Sequence, residues 1–310
     1  MKKETIILIL RKPIINIILF ILTFFTTTAM GLFQWSFSFY AAKGIINYNI
    51  LNYSGKNIIK YYFQVLLENK FLMTEAIKYS LALLIFLLAH EFGHYLACRY
   101  HGVQATLPYL IPVPFAFGTM GAVIKMRGPI QNKKALFDIG IAGPLAGFTI
   151  ALPLLYYGIR NSFFINPISG GAIYFGEPII WKIIHLLIFG SYSNGKELIA
   201  NPVALASWFA LLATALNLFP MGQLDGGHIL YALLGRKALA VYKIFFIFIA
   251  VLVLIWPYWI VWVIIGWFLG LKHPPILDET EPLGTGRKIL ALIAAVIFIL
   301  SFIVIPIQYK

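Results

Sequence analysis

A polytopic, all-α membrane protein is the fold class this sequence predicts, with six to eight transmembrane helices and a short membrane-associated β-hairpin or strand loop near residues 107–126. Three observations lead there. Of 310 residues, 61% are hydrophobic and only 11% are charged, against about 25% charged in a typical soluble domain. So few charges cannot cover a water-facing surface, and most of the surface must face lipid. Apolar runs of roughly 20 residues, enough to cross about 30 Å of hydrocarbon, recur along the chain. Finally, Pro108, Pro112 and Pro114 argue against a helix in one inter-run segment, where Gly118-Thr-Met-Gly121-Ala-Val-Ile reads as a short strand.

Taken in order, the first run begins after Met1-Lys2-Lys3 and Arg11-Lys12, as a signal peptide would, and Thr28-Ala29 offers small residues for cleavage. Hydrophobicity continues through Leu32, Phe33 and Trp35, past the length of a signal core, so 14–35 is read as an uncleaved membrane helix. The largest polar stretch, 47–70, is too short to bury a core and is expected as an outside loop of amphipathic character. Its Asn52-Tyr53-Ser54 matches a glycosylation acceptor, a pattern short enough to arise by chance. Five further clear spans follow at 72–98, 136–157, 202–219, 238–256 and 289–307. Two segments are ambiguous. Residues 173–189 carry Glu177, Pro178 and Lys182 and suit an interfacial or re-entrant piece, and 258–271 is short and follows Pro257, where a helix should break. The whole of 1–310 reads as one membrane-embedded domain, with a core over about 72–234 and peripheral helices at 14–35 and 238–307.

The net charge of +13 does not indicate nucleic acid, because the basic residues are scattered between apolar runs and form no stripe. They suit flanking charges that orient helices. With the N-terminus in the cytoplasm, 15 of the 24 basic residues fall on the cytoplasmic side, including Lys2, Lys3, Arg99, Arg127, Lys133, Lys134, Arg236 and Arg287. That split favours this orientation in a cell membrane, expected to be prokaryotic. The single cysteine, Cys98, excludes an internal disulfide and reads as a small packing residue.

Chemistry is concentrated in His90-Glu91-Phe92-Gly93-His94, near the end of the second run. On a helix, residues four apart share a face, so His90 and His94 can present two imidazoles to one metal ion. Glu91 lies on an adjacent face, within reach of a water at that metal. Imidazole pairs suit Zn2+, and such polar groups at hydrocarbon depth are costly unless something compensates them. The plainer alternative is a hydrogen-bonded polar cluster between packed helices. Catalytic zinc takes three protein ligands and leaves one position open. Of the three aspartates, Asp278 lies in a polar loop and is expected to be solvated, while Asp138 starts an apolar run beside Lys133 and Lys134, where an acid favours a helix N-terminus. Asp225, flanked by apolar segments and followed by Gly226 and Gly227, is the expected third ligand. His228 is its rival, and otherwise supports the site from outside the ligand set.

These residues resemble the site-2 protease family of polytopic intramembrane metalloproteases. Three elements occur in the family's order: His90-Glu91-Phe92-Gly93-His94; Gly118-Thr-Met-Gly121-Ala-Val-Ile followed by Gly140-Ile-Ala-Gly143-Pro144-Leu-Ala-Gly147; and Asn217-Leu-Phe-Pro220 with Leu224-Asp225-Gly226-Gly227. Together they span about half of the chain. The resemblance implies zinc ligation by His90, His94 and Asp225, Glu91 as general base, and a metal within the bilayer nearer the cytoplasmic face. With no room for a PDZ or CBS domain, the chain looks most like the family's compact form.

On this reading the substrate is a single-span transmembrane protein in a lipid membrane. A helix hides its peptide bonds, so the substrate must be unwound before cleavage. The 107–126 loop, through Gly118, Thr119, Met120 and Gly121, is expected to hold it by strand addition; an ordinary loop is the alternative. Asn217 is expected either to hold substrate backbone or to hydrogen-bond at a helix break before Pro220. Gly140, Gly143 and Gly147 are read as helix-packing positions, and Trp256-Pro-Tyr-Trp259 as an interface belt or packing. A prenyl-protein endopeptidase would normally supply glutamate as third ligand. A transporter would show paired repeats of broken helices, and a silent scaffold would have lost Glu91 or a ligand; none of these patterns is present.

Overall fold

A computed structural model of the chain describes residues 3–42, 69–166, 173–190, 195–269 and 276–309. The polar stretch 47–70 lies outside the described residues except for its last two, and so does the Asn52 acceptor pattern. The architecture is mostly helical. Helices α1 (Lys3–Ala42), α2 (Lys70–Tyr100) and α3 (Lys133–Arg160) come first. Strands β1 (Gln104–Ala105), β2 (Tyr109–Pro112), β3 (Thr119–Val123) and β4 (Met126–Arg127) lie between α2 and α3. Beyond α3 follow β5 (Phe163–Ile165), β6 (Ile173–Phe175), α4 (Ile179–Phe189), β7 (Glu197–Ile199) and α5 (Pro202–Asn217). The C-terminal part holds α6 (Asp225–Leu234), α7 (Ala238–Leu252), α8 (Ile260–Leu269), α9 (Thr285–Ser301) and β8 (Ile307–Tyr309).

Asparagine starts the main buried helices. The side chains of Asn69, Asn132 and Asn201 accept the N–H groups of Leu72, Ala135 and Val203 at 3.3, 2.9 and 2.9 Å, which satisfies donors that a helix start leaves free. Three helices are long and apolar enough to cross a membrane: Pro13–Ser36 within α1, and the whole of α2 and α3. Their outward surface is apolar, with Ile17 57% and Leu96 63% exposed. The chain is an integral membrane protein.

The remaining apolar runs give shorter helices, so helix length alone does not deliver six to eight crossings. α5 and α9 have 16 and 17 residues, which at 1.5 Å per residue is roughly 24–26 Å against about 30 Å of hydrocarbon. Residues 173–189 are not one element: β6 and α4 are separated around Glu177 and Pro178, the latter capping α4. At Pro257, which lacks an N–H to continue a helix, a short 3-10 turn Pro257–Trp259 intervenes between α7 and α8. Trp256 and Trp259 donate their indole N–H to the carbonyls of Ile307 and Val304, at 2.9 and 2.8 Å, so this cluster secures the C-terminal segment by packing.

Helix α2 is the centre of the fold. It packs on α1, α3 and α5 around Leu83, Phe86, Leu155, Trp208 and Leu211. A second cluster, including Phe137, Ile229, Tyr242 and Ile297, joins α3 to α6, α7 and α9. The 107–126 segment forms an antiparallel hairpin of β2 and β3, pairing Tyr109 with Val123, Leu110 with Ala122 and Pro112 with Thr119, with a register shift between Leu110 and Pro112. It is fastened along α1. Asn16 Nδ2 donates to Pro108 O at 2.6 Å, Thr26 Oγ1 to Gly118 O at 2.7 Å and Gln34 Nε2 to Ala116 O at 2.9 Å.

Candidate metal centre

The helical repeat puts His90 and His94 of α2 on one buried face, with their Nε2 atoms 3.1 Å apart. Asp225 reaches them from the first residue of α6. The chain leaves α5 at Asn217 and folds tightly through Pro220 and Gly222 before α6 begins. Gly226 and Gly227 permit that fold, since a side chain on either would strike the carbonyls of Leu218, Met221 or Gly222. These glycines therefore let the turn close on itself, which aims Asp225 at α2. Its Oδ2 lies 3.4 Å from His90 Nε2 and 3.3 Å from His94 Nε2.

The three donor atoms thus make a triangle with edges of 3.1, 3.3 and 3.4 Å. Ligands about 2.0–2.1 Å from a tetrahedral zinc ion are spaced about 3.3–3.4 Å apart, so the residues present fit such an ion with one corner open. Among the described residues, these three side chains form a group that could hold a metal. The His94 ring is oriented for it. Its Nδ1 lies 2.7 Å from the carbonyl of Ile139, which can only accept, so Nδ1 carries the hydrogen and the neutral ring presents a lone pair on Nε2. His90 Nδ1 is buried with no hydrogen-bond partner among the described residues.

Around the triangle, Asn217 Nδ2 stands 3.2 Å from His90 Nε2, at the rim of the donor set. Glu91 is buried one residue from His90. The stripe Gly140, Gly143 and Gly147, expected as helix packing, has a more specific position. A Cβ on Gly143 would collide with the His94 imidazole, one on Gly147 would stand 3.2 Å from His90 Nδ1, and one on Gly140 would meet His228 Cβ at 2.9 Å. The stripe lets α3 close over both imidazoles and the start of α6.

The strand residues divide. Met120 is 70% exposed, and Gly121 has open space where a side chain would be. Gly118 instead lies against the backbone of Thr26 and Thr27, while Thr119 is buried, with Oγ1 donating to Ile111 O at 2.9 Å and accepting from Gly121 N–H at 3.0 Å. Gly118 is thus packed against α1, and the Thr119 hydroxyl braces the hairpin from within.

His228 stays outside the donor triangle and packs towards Gly140. Cys98 is buried with Val103 and Ile139. Asp278 is partly exposed, and its Oδ1 accepts from both the N–H and the hydroxyl of Thr280 at 2.7 Å. Asp138 does not serve a helix start, because α3 begins at Lys133 and has no acid in its first turn. It receives Arg287 through Nε at 2.8 Å and Nη2 at 2.7 Å, and His101 Nε2 at 2.8 Å, tying α3 to α9 and to the end of α2. Sequence reasoning missed His101 and Arg287, because partners 37 and 149 residues away leave no local spacing signal.

Residues 78–255 match the family model described as Peptidase family M50. The chain is similar to "Probable zinc metalloprotease EGY2, chloroplastic" of Oryza sativa subsp. indica, at 32% identity over 177 residues, covering 55% of this chain and 31% of that protein. It is also similar to "Probable zinc metalloprotease EGY1, chloroplastic" of Arabidopsis thaliana, at 25% identity over 240 residues, covering 74% and 43%. The chain thus spans about a third to less than half of the length of these curated relatives. Among solved structures, the Site-2 Protease from Methanocaldococcus jannaschii aligns with a TM-score of 0.33 and 19% identity, over 79% of this chain and 83% of that one.

Proposed function

Because this chain belongs to peptidase family M50, we propose that it is an intramembrane zinc metalloprotease that hydrolyses peptide bonds of transmembrane proteins. The observation that carries the reading is the donor triangle of His90, His94 and Asp225 with the Glu91 carboxyl beside it. His90, His94 and Asp225 hold the zinc, and Glu91 is the general base.

Zinc held there supplies Lewis-acid chemistry, polarising a carbonyl and acidifying a water. The chain's own groups do the rest. Glu91 takes a proton from the attacking water as its oxygen bonds to the scissile carbonyl carbon. It then delivers that proton to the amide nitrogen as the C–N bond breaks. Asn217 offers its amide to substrate backbone at the rim of the site. The β3 edge around Met120 and Gly121 pairs with the unwound substrate by strand addition, a reading supported by the exposure of Met120 and the open space beside Gly121.

The finer membrane arrangement belongs to the same proposal. Helices α1, α2 and α3 cross singly, and the shorter apolar helices α5, α7, α8 and α9 complete six to eight crossings by packing together. The N-terminus lies in the cytoplasm of a prokaryotic cell, as the distribution of basic residues favours. Residues 72–234 make the catalytic core of a single domain.

Reconstituting the chain with a panel of single-span membrane peptides tests the reading. Cleavage that a zinc chelator stops, and that Glu91→Gln lowers by roughly 10²–10⁴-fold, is the expected result. Full cleavage by the Glu91→Gln chain would remove Glu91 from the chemistry.

A further inference from the structure

Away from the donor triangle, a cavity of about 290 Å³ lies beside Glu75, Lys78 and Asn201, but its polar groups are paired with one another. A second, of about 410 Å³, opens where α1, the last turns of α2 and the β1–β4 pair meet. Its lining includes Asn16, Tyr95, Arg99, Gln104, Thr106 and Arg127.

The folding that builds this cavity brings two guanidinium groups to one rim. Arg99 is in the last turn of α2, and the β1–β4 pairing sets Arg127 opposite Gln104. Both arginines are exposed, and among the described residues neither guanidinium has a hydrogen-bond or ion-pair partner. Arginine left without a carboxylate beside a polar cavity offers a planar fork to an anion, and phosphate matches that fork.

Depth and surroundings identify the source of the phosphate. The cavity lies at the end of a spanning helix, where lipid headgroups sit. Leu107, which lines it, is apolar and exposed, and the exposed apolar Ile17 and Leu96 follow the lining residues Asn16 and Tyr95 on α1 and α2. A soluble phosphate has no use for that apolar border, whereas acyl chains would lie along it. We propose that this cavity binds the phosphate of an anionic phospholipid, gripped by Arg99 and Arg127 with its chains running down the groove between α1 and α2. Basic pockets between membrane helices at a headgroup level have this chemistry.

The test is native mass spectrometry of the full chain released from vesicles of equal phosphatidylglycerol and phosphatidylcholine. The wild-type chain should retain phosphatidylglycerol in preference. The Arg99→Gln/Arg127→Gln double variant should lose about tenfold of that preference. Arg236→Gln/Lys237→Gln, which removes two exposed basic residues elsewhere, should keep it. An unchanged preference in the first variant, or an equal loss in the second, overturns the proposal. Millimolar inorganic phosphate should leave the lipid adduct in place; displacement of phosphatidylglycerol by it would make this a free-phosphate site and overturn the lipid assignment.

Discussion

Gly143 faces the imidazole of His94 so closely that any side chain on it would overlap the ring at Nε2. One hydrogen atom in place of a methyl group thus sets where a metal-facing nitrogen can sit. Gly143→Ala should lower zinc affinity by at least roughly tenfold, as displacing a ligand's support does, and destabilise the fold by about 1–3 kcal/mol through overpacking. Gly286→Ala in α9, where the added carbon meets nothing, should leave zinc unchanged. Metal titration of the two variants checks this, and equal affinities would separate the glycine stripe from the site.

Asn217 stands at the rim of the donor set, 3.2 Å from His90 Nε2. If its amide holds substrate backbone, Asn217→Ala should reduce cleavage by roughly tenfold, about the worth of one hydrogen bond, with zinc content intact. Loss of zinc in step with activity would instead assign Asn217 to orienting His90.

The β3 edge makes a backbone prediction. Met120→Ala keeps the N–H at an exposed position, while Met120→Pro deletes it. If a substrate adds to the strand, proline should slow cleavage by roughly tenfold or more relative to alanine. Zinc content should be the same in both. Equal rates would take the edge out of substrate binding.

Asp138 links three elements through Arg287 and His101. Asp138→Asn leaves a guanidinium without its carboxylate partner, partly shielded from water. A loss of about 1–2 kcal/mol is expected, between the values for surface and buried pairs. Thermal unfolding in detergent should register it, with zinc affinity little changed, since the pair makes no contact with the donor triangle. An unaltered midpoint would mark the triad as incidental.

How much of this was legible in the sequence depended on how local the cause was. The i, i+4 spacing of His90 and His94 needs only a helix, and a glycine-flanked aspartate between apolar segments narrows a third donor to Asp225. The role of Gly143 was not legible, because a glycine stripe does not say what the facing helix carries. Hydrophobic run length located α1, α2 and α3, and Glu177 and Pro178 marked 173–189 as interrupted, though not that its first residues form a strand. The β5–β7 and β6–β8 pairs, three residues each, join segments distant in sequence, so no local pattern announces them.

The central claim is that Asp225 completes one zinc site with His90 and His94. Zinc bound per purified chain, measured by elemental analysis alongside its affinity, tests it most directly. Wild type and Glu91→Gln should each hold about one zinc, and Asp225→Ala should bind it at least a hundredfold more weakly. An Asp225→Ala chain that keeps zinc as tightly as wild type would contradict the account.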